Sequence, residues 1–454
     1  MARAKMDAAG VDQVAIETFA HYYGLLERGE TGLIPESTIE PVSIDRLDDV
    51  QVGEAEAADA IAHTVVVKLN GGLGTSMGMD RAKSLLCVGR GLSFLDVIAR
   101  QILDLRARYS APLPLLFMNS FRTSADTLDA LSRYDGLQVD GLPLEFLQNM
   151  EPKVLRDGLL PATYAEDPTL EWCPPGHGDI YTALRGSGTL DALLDAGYRY
   201  AFVSNSDNLG AVPEPRVAGW FATSGAPFAI EAVRRTASDR KGGHFARRRT
   251  DGRLVLRETA QTPDEDKTAL ADLDRHRYCS TNNIWFDLRA MKAALDDRDG
   301  ILGLPMIRNV KHLDPADPST PEVFQIETAM GAAIEVFDGA QLIEVGRDRF
   351  IPVKTTNDLL VLRSDVYEIG ADFALTQVAP EVPYVDLDSD HYKLVRDFDQ
   401  RFPDGVPSLQ KASSLRVDGD WTFERGVQIV GAVTLEDQGS QRVPAGQVLA
   451  GPDA

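Results

Sequence analysis

Strand-like and helix-like patterns alternate along the chain from residue 64 to about residue 370. Runs of apolar residues, typical of buried strands, predict strands at 64–69, 113–118, 143–147, 199–204 and 227–233. Helical spacing of apolar residues predicts helices at 11–27, 93–108, 123–133, 180–195 and 214–223. Because strands that alternate with helices usually pair in parallel, this pattern predicts an α/β fold with a mostly parallel sheet covered on both faces.

Three regions depart from the alternation. Residues 36–62 are acidic and irregular, and residues 234–278, with a short ribbon near 254–256, look like an insertion. From 408 to 450 helical periodicity gives way to short alternating runs, which indicates a small β-rich domain. We therefore expect an N-terminal helical segment that packs on the core (1–62), a main domain (63–370) and a C-terminal β domain (385–454).

Composition narrows the class of protein. The chain has 454 residues and a formal net charge of −23, from 46 Lys and Arg against 69 Asp and Glu, which argues against nucleic acid or an anionic membrane as partner. Because the protein as a whole is negatively charged, an anionic ligand needs basic residues close to its binding site. Three distant cysteines, Cys87, Cys173 and Cys279, form no disulfide framework, and no targeting pattern or run of about 20 apolar residues stands out. We expect a cytoplasmic protein.

The sequence from 64 to 84 predicts a phosphate-binding loop. The apolar run 65–67 ends in a turn with four glycines, Gly71, Gly72, Gly74 and Gly78. Residues without Cβ let backbone N–H groups approach an anion, and Lys83 adds a mobile positive charge. The loop is neither a P-loop, because Met79 follows Gly78, nor a dinucleotide fingerprint, because Met77 occupies the third glycine position.

Two further segments carry candidate polar chemistry. Asp207 follows the strand predicted at 199–204, where a carboxylate can bind Mg²⁺, although Ser, Asn and Asp also favour plain turns. His177, in the loop Pro-Pro-Gly-His-Gly-Asp (174–179), can donate to a phosphate or be structural. Asp179 is expected to cap the next helix.

Residues later in the chain can complete a ligand site. Lys354 follows an apolar strand and is either a second phosphate-facing cation or a lysine that snorkels to solvent. The Lys-Gly-Gly loop at 241–243 can approach an anion, and Glu258 can accept a hydrogen bond from a sugar hydroxyl. Asn282 and Asn283 are consecutive on a strand, so at most one should point into a pocket.

Met118 and Gln148 also end predicted strands. On their own they favour core or turn roles.

Eight stretches together resemble the eukaryotic-type UTP–glucose-1-phosphate uridylyltransferases (UDP-glucose pyrophosphorylases). They match the family in order and spacing: LNGGLGTSMG (69–78), MNSF (118–121), PPGHGDIY (174–181), FVSNSDNLGA (202–211), KGG (241–243), TNN (281–283), ETAMGAAIEVF (327–337) and FIPVKTTNDLL (350–360). The resemblance implies a Rossmann-like nucleotide-diphosphosugar transferase fold for the catalytic domain, in agreement with the α/β pattern. It also implies a C-terminal left-handed β-helix, whose coils the stretch 420–435 resembles.

The resemblance also implies roles for single residues. Lys83, Lys354 and Asp207 would be catalytic, with Asp207 holding Mg²⁺ and the two lysines neutralising phosphates. Contacts to the nucleotide would come from Leu69, Asn70, Gly71, Gly72, Gly74, Met118, Gln148, Gly176 and His177. Contacts to the hexose would come from Gly243, Glu258 and Asn282.

The implied reaction joins UTP and glucose 1-phosphate into UDP-glucose and releases pyrophosphate. It needs no protein nucleophile, because the sugar phosphate is itself an anion that can displace pyrophosphate in line. Members of the family work as monomers or assemble through the β-helix domain, so a homo-oligomer is compatible with the resemblance.

Two departures from the family pattern leave alternatives open. The family usually reads Gly-Cys-Lys-Gly-Pro-Lys-Ser where this chain has Gly-Met-Asp-Arg-Ala-Lys-Ser (78–84), so Arg81 is the nearest substitute for the missing lysine. It usually reads Phe-Asn-Thr-Asn-Asn where this chain has Cys-Ser-Thr-Asn-Asn (279–283). One alternative is therefore a uridylyltransferase that uses galactose 1-phosphate as well or instead. The other is a nucleotide-sugar-binding regulatory protein without turnover, against which the presence of all three catalytic candidates argues.

Overall fold

The computed structural model describes residues 1–240 and 242–452. Lys241, from the Lys-Gly-Gly loop, and the last two residues of the expected C-terminal domain lie outside the described residues.

The helices of the described chain are short to medium in length. They are α1 (Ala2–Ala8), α2 (Gln13–Glu27), α3 (Glu54–Ala62), α4 (Phe94–Tyr109), α5 (Ser124–Leu131), α6 (Ile180–Gly186), α7 (Thr189–Asp195), α8 (Pro215–Ser224), α9 (Lys267–Leu270), α10 (Leu288–Asp296), α11 (Thr356–Arg363), α12 (Ser389–Tyr392) and α13 (Val395–Arg401).

The strands of the first half and the insertion are β1 (Ile39–Pro41), β2 (Asp45–Arg46), β3 (Thr64–Asn70), β4 (Cys87–Gly89), β5 (Leu92–Ser93), β6 (Leu115–Asn119), β7 (Glu145–Leu147), β8 (Glu151–Pro152), β9 (Val154–Leu155), β10 (Trp172–Cys173), β11 (Tyr200–Asn205), β12 (Phe228–Arg234), β13 (His244–Arg248) and β14 (Leu254–Arg257). The later strands are β15 (Tyr278–Asp287), β16 (Met306–His312), β17 (Glu322–Thr328), β18 (Gln341–Glu344), β19 (Tyr367–Ile369), β20 (Leu375–Gln377), β21 (Tyr384–Leu387), β22 (Ser408–Val417), β23 (Trp421–Phe423), β24 (Gln428–Leu435), β25 (Gln441–Val443) and β26 (Val448–Ala450).

An eight-stranded sheet forms the centre of the molecule, in the order β2-β18-β12-β15-β11-β3-β6-β7. Its strands pair in parallel except at β15, which runs antiparallel to both β11 and β12. The prediction of an α/β fold with a mostly parallel sheet is thus confirmed. The antiparallel strand was not predicted, because β15 returns directly after the insertion without a crossover helix.

Apolar side chains cover the sheet on both faces, as predicted. Alternate residues of β3 face opposite cores, since Val66 belongs to one buried cluster and Val65 and Val67 to the other. Helices α4 and α8 contribute to the first cluster, and α6, α7 and α10 to the second. The sheet is therefore packed on both faces, and ligands of such sheets bind where the strands end.

Two helical regions differ from the sequence prediction. The helix expected over 180–195 is divided into α6 and α7, because Gly188 adopts a left-handed backbone (φ 72°) between them. The region 36–62, expected to be irregular, contains α3. Its sequence Glu-Ala-Glu-Ala-Ala-Asp-Ala-Ile-Ala is rich in alanine, the best helix former, and it buries Ala60 and Ile61.

The N-terminal helices pack on the strands beside the main sheet. Met6 of α1 and Phe19 and Tyr22 of α2 form a buried cluster with Val154 and Ile326, which lie on β9 and β17. The inserted ribbon is present as the antiparallel pair β13–β14, and β1 adds a third strand to it.

Parallel strands dominate the C-terminal region. Trp421 of β23 pairs with Gln441 of β25, and Gln428 of β24 pairs with Val448 of β26, each twenty residues later. Helices α12 and α13 lie before residue 408, where the predicted β-rich region begins. The left-handed β-helix remains a prediction.

Among the described residues, no helix combines the length and apolarity needed to cross a bilayer.

Candidate active site

The candidate site lies where neighbouring parallel strands of the main sheet end. Strands β7, β6, β3 and β11 are adjacent, and each is followed by one of the predicted ligand-binding segments. Ligands of open α/β sheets bind at this carboxyl edge.

The glycine-rich loop after β3 is held in a defined shape by the main chain. The Lys83 N–H donates to the carbonyl of Gly72 at 3.0 Å, and Ser206 donates to the carbonyl of Leu69 through both its N–H (3.1 Å) and its hydroxyl (2.8 Å). Gly74 adopts φ 68°, a conformation that favours glycine. The loop is therefore held in a defined turn at the end of β3, and phosphate binding by its backbone stays a prediction.

Asn70 and Met118, both predicted to contact the nucleotide, have buried side chains. The Asn70 amide donates to Asn119 Oδ1 at 2.7 Å and to Thr127 Oγ1 at 2.9 Å, and Met118 is 2% exposed. These side chains support the sheet edge rather than line open space.

Gly71 and Gln148 lie against each other. The Gln148 N–H donates to the carbonyl of Asn119 at 2.8 Å, which ties the end of β7 to the end of β6. A Cβ on Gly71 would lie 2.5 Å from Gln148 Oε1, so the glycine is what allows this close approach. Two residues predicted to bind the nucleotide are thus brought together.

The three predicted catalytic residues converge from distant segments. The Lys83 ammonium donates to Asp207 Oδ2 at 2.7 Å and also to the carbonyl of Val353. The Val353 N–H in turn donates to the carbonyl of Asp207 at 3.0 Å, and the next residue is the exposed Lys354. Arg81, the nearest substitute for the lysine that the family usually has in this loop, has its Nε 3.9 Å from Asp126 Oδ2 instead.

His177 is held in one tautomer by a backbone donor. The Met330 N–H donates to His177 Nδ1 at 3.0 Å. Burial, together with the nearby Lys354 ammonium, lowers the pKa of His177 to about 4. At neutral pH the ring is therefore uncharged, its Nδ1 accepts, and its Nε2 carries the proton and can donate.

Gly176 fixes the loop that carries His177. It adopts φ 80°, and a Cβ would lie 2.6 Å from the carbonyl oxygen of Thr328. The Thr328 N–H donates to the carbonyl of Pro175 at 2.9 Å, so the loop is anchored to the end of β17. Both the backbone angle and the lack of space therefore favour glycine at this position.

A cleft of about 510 Å³ joins the remaining predicted residues. Its lining includes all three predicted hexose residues, Gly243, Glu258 and Asn282, together with His177 and Lys354. The sequence prediction had not assigned several other lining residues, namely Asp239, Asn309 and Phe350, while it had singled out Cys279 and Ser280 only as departures from the family pattern. Asn309 lies on β16, whose sequence carries no motif that could have marked it.

Glu258 is a half-buried acceptor in this cleft. Burial raises the pKa of its carboxyl, and the Lys354 ammonium opposes that rise. A Cβ on Gly243 would lie 2.7 Å from Glu258 Oε2, so the loop after residue 241 approaches the carboxylate closely because it carries glycine.

Of the two consecutive asparagines, Asn282 lines the cleft and Asn283 is buried. The Asn283 amide donates to Glu231 Oε2 at 3.0 Å, and the same carboxylate forms a bidentate pair with Arg349 at 2.6 Å. The prediction that at most one of them faces a pocket is confirmed.

The residues of the candidate metal site suit a cation that is held mainly by the phosphates of a bound substrate. Among residues 1–240 and 242–452, no group of three or more His, Cys, Asp or Glu side chains is arranged to hold a metal ion. Mg²⁺ is usually held by one or two carboxylates plus substrate phosphates and water. The single carboxylate of Asp207, at the end of a strand and 21% exposed, fits that mode.

Comparison with known proteins identifies the family of this chain. The family model for UTP–glucose-1-phosphate uridylyltransferase matches residues 16–430. The UTP–glucose-1-phosphate uridylyltransferase of Solanum tuberosum is 35% identical over 99% of this chain and 95% of its own length.

Solved structures resemble the whole chain. A mutant UDP-glucose pyrophosphorylase from Leishmania major, in complex with UDP-glucose, is 43% identical and superposes with a TM-score of 0.92 over 98% of this chain and 97% of its own. The UDP-glucose phosphorylase of Trypanosoma brucei is 42% identical, also with a TM-score of 0.92, over 99% of this chain and 97% of its own. The chain therefore belongs to the UTP–glucose-1-phosphate uridylyltransferase family of nucleotidyltransferases.

Proposed function

We propose that this chain transfers the uridylyl group of UTP to glucose 1-phosphate, giving UDP-glucose and pyrophosphate. The observation that carries the proposal is that the Lys83–Asp207 pair contacts the carbonyl of Val353, and the next residue, Lys354, lines the cleft that contains Glu258 and Asn282. Positive charge for phosphates and polar groups for a sugar thus lie next to each other. The reaction itself is inferred from membership of the UTP–glucose-1-phosphate uridylyltransferase family.

The substrates divide between the two parts of the site. UTP binds along the glycine loop of Leu69 to Gly74, with Gln148 and Gly176 near its base and ribose. The buried side chain of Met118 supports this edge of the sheet from within. The hexose occupies the cleft, where Gly243, Glu258 and Asn282 hold its hydroxyls. His177 donates from Nε2 to a phosphate between the two parts.

The chemistry is one in-line displacement. An oxygen of the hexose 1-phosphate bonds to the α-phosphorus of UTP, the bond from that phosphorus to the α–β bridging oxygen breaks, and pyrophosphate leaves with the electron pair. Because both reactants are anions, positioning and charge neutralisation supply the catalysis. Lys83 neutralises the leaving pyrophosphate, and Lys354 neutralises the attacking phosphate.

Asp207 is the residue that would hold Mg²⁺. A divalent cation held there would supply charge neutralisation at the reacting phosphates. Lys83 donates to the same carboxylate at 2.7 Å, so a cation held by Asp207 would compete with Lys83 for it.

The domain limits belong to the same proposal. We assign the N-terminal helical segment to 1–62, the catalytic domain with its insertion (234–278) to 63–370, and a left-handed β-helix to 385–454. The parallel strands β22 to β26 support the β-helix. A cytoplasmic enzyme, with any self-assembly made through the C-terminal domain, fits this assignment.

Galactose 1-phosphate is the second candidate substrate. Cys279 and Ser280, the residues that depart from the usual family pattern, both line the hexose cleft. A change in the wall of the sugar site is the kind of change that alters discrimination between epimers.

Release of pyrophosphate tests the proposal. Purified protein is mixed with UTP and Mg²⁺, and pyrophosphate is followed with glucose 1-phosphate, with galactose 1-phosphate and with neither. Release that requires glucose 1-phosphate supports the proposal, and comparable release with both sugars supports the broader specificity. Binding of UTP without release under any condition would favour the non-catalytic alternative.

A further inference from the structure

We infer that Ser280 is a positioning residue that sets which atoms of Asn282 face the hexose, and that it thereby controls affinity for the sugar. This inference rests on the proposed function, since it assigns the cleft to the sugar of a sugar phosphate. Ser280 itself is not required to touch the reacting atoms.

Asn282 sits at an irregularity of β15 that bends it out of the sheet. Between the pairs formed with Ile230 and Ala232 of β12, the partner strand passes from Ile284 to Ser280, so β15 carries extra residues there. Such a bulge turns side chains away from the normal alternation. Asn282, at its centre, has a left-handed backbone with φ 59°.

The Ser280 hydroxyl holds both the backbone and the side chain of Asn282. Ser280 Oγ accepts the Asn282 N–H at 3.0 Å and donates its own proton to Asn282 Oδ1 at 3.3 Å. The amide oxygen of Asn282 is therefore turned back toward Ser280. The amino group, Nδ2, is left as the group that this side chain can offer to a ligand.

This arrangement complements Glu258, another polar residue that lines the cleft. Glu258 offers carboxylate oxygens, which accept hydrogen bonds, whereas Asn282 Nδ2 offers two N–H donors. Sugar hydroxyls both donate and accept, so a ligand with neighbouring hydroxyl groups can satisfy the two residues together. If the amide of Asn282 were free to rotate, the cleft could present two acceptors instead.

The bulge has an anchor that does not involve Ser280. The Thr281 hydroxyl donates to the carbonyl of Glu231 at 2.7 Å and accepts the N–H of Asn283 at 3.1 Å. Loss of the Ser280 hydroxyl should therefore free the Asn282 side chain without unfolding the strand. This separates a positioning role from a purely structural one.

The test compares Ser280→Ala and Ser280→Thr with the wild-type protein. Ser280→Thr keeps the hydroxyl at this position. Ser132→Ala is the matched control, because it removes an exposed serine hydroxyl that donates to the carbonyl of Asp129 at the end of a helix. Affinities for UDP-glucose and for UDP are measured by calorimetry, and steady-state kinetics and thermal unfolding are recorded for each protein.

We expect Ser280→Ala to weaken UDP-glucose binding and to raise KM for hexose 1-phosphate by about tenfold, the equivalent of one well-placed hydrogen bond. Affinity for UDP, KM for UTP and the melting temperature should stay near the wild-type values, and Ser280→Thr should restore sugar affinity.

Two results would overturn the inference. Unchanged sugar affinity in Ser280→Ala would show that the hydroxyl does not position Asn282. Equal loss of UDP and UDP-glucose affinity, or a matching fall in melting temperature, would make the residue structural. The binding arm needs no turnover, so absence of pyrophosphate release by the wild type would count against the proposed function alone.

Discussion

The Lys83 ammonium and the Asp207 carboxylate lie 2.7 Å apart although 124 residues separate them in sequence. Each side chain is about one-fifth exposed, so the pair is open to a ligand that can exchange with it. A phosphate group of a ligand can pair with Lys83, and a cation can bind the carboxylate of Asp207. The pair thus places two opposite charges of the site next to each other.

Removal of the Lys83 charge should reduce turnover far more than stability. We expect Lys83→Ala to lower kcat on the order of 10²- to 10³-fold, because one charge that stabilises the transition state is lost. The free energy of unfolding should change by only about 1 kcal/mol, as for a partly exposed ion pair. Parallel kinetic and urea-unfolding measurements check this.

Arg81→Ala is the control for Lys83, because the Arg81 guanidinium lies near Asp126 instead of Asp207. It should leave kcat within about twofold, the range expected for an exposed charge away from the reacting atoms. An equal loss of turnover in both variants would mean that the general positive charge of the loop matters, and not the position of Lys83.

Asp207→Asn should weaken the response to Mg²⁺. The amide keeps the size of the side chain but loses the negative charge, so we expect the Mg²⁺ concentration for half-maximal rate to rise on the order of tenfold or more. Asp80→Asn, in the exposed loop before Lys83, is the matched control. An unaltered Mg²⁺ titration in Asp207→Asn would remove this residue from the metal site.

His177 should make stability depend on pH in the acid range. Burial lowers its pKa from 6.5 to about 4, so between these values the unfolded chain binds more protons than the folded one. Its contribution is therefore complete above pH 6.5 and is lost as the pH falls toward 4. When the pH is lowered through this window, the free energy of unfolding should fall less for His177→Gln than for the wild type. The difference should be on the order of 1–3 kcal/mol.

Urea unfolding of both proteins at several pH values measures that difference. Identical pH profiles for wild type and His177→Gln would contradict the assigned neutral state. The same variant keeps a side-chain N–H donor, so it should retain more activity than His177→Leu if donation from Nε2 is what the phosphate needs.

Gly176→Ala should destabilise the loop 174–179 by more than the strain of a left-handed backbone alone. Gly188 is the matched control: its φ is 72° against 80° for Gly176, but a Cβ there meets no atom within 4 Å. We expect Gly188→Ala to lose about 1–2 kcal/mol of stability from backbone strain alone. Gly176→Ala should lose more, and should also bind UTP more weakly, because its Cβ meets the Thr328 backbone.

Calorimetric UTP affinity and unfolding free energy for the two alanine variants check this prediction. Equal destabilisation and equal UTP affinity would mean that the contact between Gly176 and the Thr328 backbone relaxes without consequence.

Much of the site could be predicted because its residues stand at strand ends within recognisable local patterns. Lys83 follows a glycine turn, Asp207 follows a buried strand, and Glu258 ends the inserted ribbon. Local sequence fixes each of these positions, and the sheet then brings them together.

The remaining features depend on pairing between distant segments. The left-handed backbone of Asn282 arises from a bulge against β12, and Asn309 reaches the cleft only because β16 pairs with β17. The tautomer of His177 depends on the N–H of Met330, 153 residues away. No local pattern of apolar and polar residues encodes such relationships, so sequence reasoning missed them.

The most direct test of the account follows the configuration at the α-phosphorus. UTP carrying sulfur at one configuration of the α-phosphate is incubated with glucose 1-phosphate, Mg²⁺ and the wild-type protein, and the thio-substituted UDP-glucose is analysed. The account predicts that this product forms with inversion, because one sugar phosphate displaces pyrophosphate in a single step. Retention would require a covalent intermediate on the protein, and absence of the product, with unmodified UTP also unused, would contradict uridylyl transfer itself.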